Sequence, residues 1–211
     1  MMTDKERMRK RRREQMHAKR VFDIAASAGI LLVFSPIWAA VAAAVKLTSR
    51  GPVFFIQERP GYHKKLIKVY KFRTMYMGSE KMVKGKEVGP DDKRITSVGH
   101  FLRRSKLDEI PQLFNVLKGE MSLVGPRPER VESLQDYDSE ISRRLDMLPG
   151  MTGLAQVSGN IYLSLPDRYK LDVYYVRHFS LWLDVKILCR TVGVVVFGEE
   201  RYKERPLVLM E

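Results

Sequence analysis

The longest apolar stretch, Ile24 to Val45, runs 22 residues without a charged side chain. As straight helix it would be about 33 Å long, close to the ~30 Å of a bilayer core. Pro36 stands near its middle, where it supplies no N–H and crowds the carbonyl of Leu32. Ser35 before it is steered away from helical angles, and its hydroxyl can satisfy a freed carbonyl. A core helix and a cleaved signal peptide are the competing readings, and 22 uncharged residues behind a long basic leader fit a retained membrane segment better. The pattern leaves two forms open: a kinked span, or a helix that breaks at Ser35-Pro36 and returns to the face it entered.

Beyond Gly51-Pro52 the apolar runs shorten. Val53–Gln57 and Leu66–Tyr70 have strand composition and are separated by Pro60-Gly61, which predicts a β-hairpin. Residues 77–94 are polar, rich in Lys and Gly and without a period, and read as a mobile loop. Val98–Arg104 reads as a short helix, and Pro111–Lys118 as a second, stopped by Gly119. Arg130–Leu148 is charged and reads as helix until Pro149-Gly150, and Pro166–Phe179 as a further helix. From Leu181 to Val196 the chain is strongly apolar, with Trp182, Lys186 and Arg190 interspersed. That segment fits a membrane interface and the domain core equally well.

Charge sharpens the first choice. Residues 1–20 carry nine Lys/Arg and three acids, which is +6 of the chain's formal +13. Lys46, Arg50, Arg59, Lys64, Lys65 and Lys68 follow the apolar run, so both of its flanks are basic. Basic flanks stay in the cytoplasm, and a helix that turns back keeps both there. The expected fold is α+β, mainly helical: an N-terminal re-entrant membrane helical hairpin broken at Ser35-Pro36, then a small cytoplasmic domain with a β-hairpin and amphipathic interfacial helices. The divisions are a basic leader (1–18), the re-entrant helix (19–50), a catalytic domain (51–198) and a C-terminal tail (199–211).

Composition excludes two classes. An apolar content of 45% is that of a folding chain, and the lone Cys189 cannot support a disulfide scaffold. The positive balance calls for an anionic partner: nucleic acid, an acidic membrane surface or a phosphorylated substrate.

Asp108-Glu109 is the sharpest acidic feature, because Pro111 places it at a helix start. An Asp there commonly caps free backbone amides. The same position can hold an ionised carboxylate beside a bound phosphate, provided Mg²⁺ or Arg/Lys screens the two anions. Candidate cations are Lys71 and Arg73 after the hairpin, Arg103 and Arg104 ahead of the acids, and Arg127 between Pro126 and Pro128. Solvated surface charge is the default for any one of them. No Cys/His cluster has zinc spacing, and neither a Walker loop nor a nucleophile elbow is present.

With these motifs in order, the chain closely resembles the bacterial sugar transferase family, the small monotopic phosphoglycosyl transferases. The resemblance runs from Lys19 to Val196. It is carried by Lys19-Arg20-Val21-Phe22-Asp23, Ser35-Pro36, Lys71-Phe72-Arg73-Thr74-Met75, Leu107-Asp108-Glu109-Ile110-Pro111-Gln112, Gly125-Pro126-Arg127-Pro128-Glu129 and Pro149-Gly150-Met151-Thr152-Gly153. It implies the re-entrant helix, with the membrane break at Ser35 and Pro36, and a place at the bacterial inner membrane with the active site facing the cytoplasm. It also implies transfer of a sugar 1-phosphate from a UDP-sugar to undecaprenyl phosphate. Asp108 would be nucleophile and Mg²⁺ ligand, Glu109 its acid/base or metal-orienting partner, and Lys71, Arg73, Arg103 and Arg127 the substrate-binding residues. Anionic membrane lipids are expected partners and nucleic acid is not; a homodimer is left open. One departure stands out: after Gln156-Val157-Ser158-Gly159 the family commonly has Arg-Asn, and this chain has Asn160-Ile161. The rival reading is a non-catalytic, membrane-anchored basic module for nucleic acid or anionic lipid, which leaves Asp108-Glu109 and its surrounding cations without a role.

Overall fold

The fold is described from a computed structural model covering residues 3–79, 89 and 92–208. Most of the loop expected over 77–94 therefore lies outside the described residues. Two N-terminal helices come first, α1 (Asp4–Val33) and α2 (Ser35–Thr48). A hairpin of β1 (Phe54–Pro60) and β2 (Leu66–Phe72) follows, then helices α3 (Ser97–Arg104) and α4 (Gln112–Lys118). Short strands β3 (Ser122–Val124) and β4 (Gly150–Thr152) flank a stretch of 3₁₀ turns, and α5 (Leu154–Val157), α6 (Leu165–Arg177) and α7 (Leu181–Phe197) complete the chain. The protein is mainly helical with two small sheets.

The basic leader and the first half of the apolar run form one helix, α1, opened by a capping box in which Thr3 and Glu6 bond reciprocally. The chain bends by 67° between α1 and α2. The bend falls on Phe34, one residue ahead of the expected break, and Pro36 sits in the first turn of α2, where no N–H is needed. Among the described residues no single helix is long and apolar enough to cross a membrane, whereas this bent pair passes that test together. Leu32, Val33, Phe34 and Ile37 around the bend are exposed.

The basic motif ahead of the apolar run is a docking device rather than surface charge. Lys19 reaches Asp184 on α7 at 2.6 Å. Arg20 donates to the carbonyls of Val116 and Leu117, and so caps the C-terminal end of α4. Buried Asp23 accepts from the Ser122 hydroxyl and the Leu123 amide of β3. The core lies between these elements and gathers Val116, Met121, Leu154, Val157, Tyr175 and Ile187.

The hairpin forms antiparallel, with Phe54 opposite Phe72 and Lys71 opposite Phe55. As expected, Gly119 ends α4, at φ 81° where a Cβ is disfavoured. Strands β3 and β4 pair in parallel, and at their crossing a Cβ on Gly150 would lie 2.1 Å from the Gly125 nitrogen. Only backbone fits there, which joins the Gly125-Pro126-Arg127 segment to Pro149-Gly150-Met151. In α7, Ile187 and Val194 pack into the core, while Trp182, Val192, Val195 and Val196 stay exposed.

One expected helix does not form. Arg130–Leu148 folds as two 3₁₀ segments, Val131–Asp136 and Ile141–Asp146. Tyr137 between them is extended, and the Asp138 carboxylate takes the Ile141 N–H at 2.7 Å, a local bond that competes with helix.

Candidate functional site

Three chain segments converge on the acidic pair. Asp108 and Glu109 lie in a 3₁₀ turn, Leu107–Glu109, entered through Lys106 at φ 58°. Neither residue caps α4, whose N-cap is Pro111 and makes no side-chain bond. A 3₁₀ turn rotates successive side chains by ~120°, so neighbouring acids meet different surroundings.

Glu109 is locked. Its Oε1 meets Lys71 Nζ at 2.6 Å, from the end of β2, and Arg127 Nη2 at 3.4 Å, from the segment after β3. Burial pushes its carboxyl upward, but Lys71 and Arg127 outweigh burial and hold it well below the usual carboxylate range. Arg127 is in turn held cationic chiefly by the Glu109 charge.

Asp108 is the opposite. Among the described residues it takes part in no hydrogen bond or ion pair within contact distance, and it is partly open to solvent. Burial and then the neighbouring Glu109 charge push its carboxyl up to about 6, against the pull of Lys71, Arg103 and Lys106. At neutral pH such a group is mostly ionised yet more basic than an ordinary carboxylate, a combination suited to attack on phosphorus.

The remaining candidates divide. Arg103 lies within electrostatic reach of Asp108, oriented by its Nε bond to the Thr74 hydroxyl at 2.9 Å. Arg73 does not join the site. It is buried, and its guanidinium donates to the carbonyls of Val45, Ser49 and Pro52, clamping the end of α2 to the domain. Its nearness to Lys71 in sequence misleads because β2 ends at Phe72, and the period-2 alternation that would put residues 71 and 73 on one face no longer governs Arg73.

Two site neighbours were not anticipated. Arg59 on β1 is half-buried beside Arg127 and Arg130, and burial lowers its pKa. Lys106 bonds Glu199 Oε1 at 2.7 Å, which brings the start of the tail to the site. Both contacts join residues far apart in the chain, so no local pattern announces them. Further along the tail, Lys203 packs on Gly159 and its ammonium lies 6.0 Å from the Tyr162 ring centroid, covering the loop in which Asn160 is buried.

A divalent metal has to be judged against these donors. Among the described residues no three His, Cys, Asp or Glu side chains gather as a cage. Mg²⁺ commonly binds one or two carboxylates and completes its shell with substrate phosphates and water. Asp108, without a hydrogen-bond or ion-pair partner among the described residues, fits that mode as the single carboxylate. A largely apolar cavity of about 210 Å³ lies elsewhere, between α1, β3 and α7, lined by Phe22, Leu123, Leu181 and Leu188 among others.

The model of the bacterial sugar transferase family matches residues 14–198. The chain is 45% identical over 184 residues to the uncharacterized sugar transferase EpsL of Bacillus subtilis, covering 87% of this chain and 90% of that protein. It is 40% identical over 198 residues to the undecaprenyl-phosphate glucose phosphotransferase of Komagataeibacter xylinus, covering 89% of this chain and 37% of that protein. It is 45% identical over 184 residues to the UDP-glucose:undecaprenyl-phosphate glucose-1-phosphate transferase of Klebsiella pneumoniae, covering 82% of this chain and 39% of that protein. The chain thus spans about two fifths of the length of those two phosphotransferases.

The contrast between the two acids gives a direct expectation. In ¹³C-aspartate-labelled protein, with Asp108→Asn assigning the resonance, the Asp108 carboxyl should titrate near 6. Glu109→Gln removes a like charge and releases Lys71 and Arg127, so the midpoint should fall toward the usual carboxylate range. An unchanged or higher midpoint would contradict the arrangement.

Proposed function

The chain belongs to the bacterial sugar transferase family, and from that premise we propose that it transfers a sugar 1-phosphate from a UDP-sugar to undecaprenyl phosphate. The observation that carries this reading is the division of labour within the acidic pair. One carboxylate is consumed by two cations, and its neighbour, without a hydrogen-bond or ion-pair partner among the described residues, is unusually basic.

The reaction proceeds in two displacements. An Asp108 carboxylate oxygen attacks the β-phosphorus of the UDP-sugar, and the bond from that phosphorus to the bridging oxygen breaks. UMP leaves with the electron pair, and the phosphosugar remains on the carboxylate as an acyl phosphate. A phosphate oxygen of undecaprenyl phosphate then attacks the same phosphorus and expels the Asp108 carboxylate, giving the polyprenyl diphosphate-sugar. Splitting the transfer lets a water-soluble donor and a lipid acceptor use one site in turn.

Each neighbour has a task in this scheme. Glu109 fixes Lys71 and Arg127 at the edge of the diphosphate, where their remaining donors reach phosphate oxygens. Arg103 and Lys106 supply positive charge on the Asp108 side. Asp108 would hold Mg²⁺, which screens the β-phosphate charge when bound. Deprotonated Asp108 is required for attack, so UMP release should fall as acid protonates it, with a midpoint below the metal-free value of about 6 because bound Mg²⁺ favours the charged form.

In this reading the bent pair α1–α2 enters the membrane from the cytoplasmic side and returns to it. The exposed apolar side chains at the bend sit in lipid, and Lys19, Arg20 and Asp23 anchor the catalytic domain at the interface. The basic face of α1 meets anionic headgroups, at roughly 1 kcal/mol per basic residue near the surface.

Two experiments test the proposal. Protein in lipid nanodiscs with Mg²⁺, undecaprenyl phosphate and a panel of UDP-sugars should release UMP and form a polyprenyl diphosphate-sugar. Asp108→Asn should lower that turnover by orders of magnitude; turnover near that of the wild type would remove Asp108 from the chemistry. For topology, single cysteines at His17 and Thr48 in a Cys189→Ser background should both react with a membrane-impermeant label from the cytoplasmic side alone. Labelling from opposite sides would establish a span in place of the re-entrant pair.

A further inference from the structure

Arg144 and Asp172 form a fully buried ion pair away from the acidic dyad, each side chain about 1% exposed. Arg144 donates to the Asp172 carboxylate and to the Tyr137 hydroxyl. Its guanidinium lies 4.5 Å from the Tyr169 ring centroid and 5.4 Å from that of Tyr137. It spends another donor on the main-chain carbonyl of Arg127, at 2.8 Å. Asp172, on α6, holds that guanidinium in place, so the ion pair links α6 to the Arg127 carbonyl. The main-chain carbonyl of a site residue thus ends on a buried ion pair.

Stability alone is a poor explanation for this arrangement. Desolvating two charges costs several kcal/mol, and replacing such a pair with apolar residues is often neutral or stabilising. What the pair supplies is direction. Pro126 and Pro128 restrict the backbone on either side of Arg127. Gly125 is fixed by its amide bond to the Thr152 carbonyl at 2.9 Å, and Pro126 by accepting from the Gly150 amide at 2.9 Å. The carbonyl of Arg127 itself is left to Arg144. From that base its guanidinium meets Glu109 at 3.4 Å.

We propose that Arg144 and Asp172 are positioning residues for the transfer: they grip the Arg127 main chain so that its guanidinium meets both Glu109 and the diphosphate of the sugar nucleotide. The proposal rests on the phosphotransferase reading above and adds to it a device that touches neither substrate. Tyr137 and Tyr169 wall the cation in, so it cannot swing to another partner.

A double-mutant cycle tests this through activity. Asp172→Asn keeps the side-chain volume and should lower kcat/KM for UMP release by about 10- to 100-fold, the scale of a small misplacement at a reacting centre. In an Arg127→Ala background the same substitution should cost less than about threefold, because its route to the chemistry is already gone. Equal costs in both backgrounds would overturn the proposal and leave the pair purely structural. If Asp172→Asn unfolds the protein, the double replacement Arg144→Met with Asp172→Leu takes its place in the cycle. A second readout needs no turnover. In ¹⁵N-labelled protein the Arg127 side-chain Nε–H resonance should shift or broaden in the variant, while amide resonances in α4 and β3 stay in place. An unchanged Arg127 side-chain resonance would overturn the proposal, whereas wild-type protein that releases no UMP from any UDP-sugar would count against the functional reading alone.

Discussion

The arrangement depends on one shared oxygen, Glu109 Oε1, which meets Lys71 and Arg127 together. Lys71 comes from the end of the hairpin, Glu109 from the turn before α4, and Arg127 from the segment that leaves β3. Three separately built pieces are thereby tied at one point, and the charge they neutralise is the one that would otherwise compete with Asp108 for cations. Among the described residues the remaining acid has no hydrogen-bond or ion-pair partner, and burial, with the neighbouring Glu109 charge, raises its basicity. A pair of adjacent carboxylates is made unequal by its surroundings, and unequal acids divide roles.

Around that point the fold works as a set of clamps. Lys19, Arg20 and Asp23 join α1 to α7, α4 and β3, so the element bearing the apolar bend is rigidly continuous with the element preceding the site. Arg73 does the same for the far end of α2. Several cations of this strongly basic chain are therefore structural, gripping helix ends and carbonyls, while a smaller group faces the acidic pair. Net charge alone does not distinguish the two uses.

Much of this was legible wherever the cause is local. Gly119 ending α4, the two strands around Pro60-Gly61 and the short helix before Arg104 follow from propensity, turn chemistry and period. Asp108, Glu109, Lys71, Arg103 and Arg127 were identified by their motifs, and the fold brings them to one place. What failed was long-range or competitive. The charged stretch 130–148 has helical composition, but Asp138 captures an amide and Arg144 is drawn inward to Asp172 and the Arg127 carbonyl. Arg73 lies two residues from Lys71 and was grouped with it, yet it emerges on the buried side of the hairpin's end. Glu199 approaches Lys106 across 93 residues, a contact that no window of sequence contains.

The central claim is that Asp108 carries the phosphosugar covalently, and intact-protein mass spectrometry without lipid acceptor tests it most directly. Nanodisc protein would be incubated with Mg²⁺ and the UDP-sugar that supports turnover, then weighed and mapped by peptide. The account predicts the added mass of one phosphosugar per chain, located on the peptide containing Asp108, with one equivalent of UMP. No added mass, with UMP appearing only once undecaprenyl phosphate is supplied, would contradict it and assign the transfer to a single displacement between the two substrates.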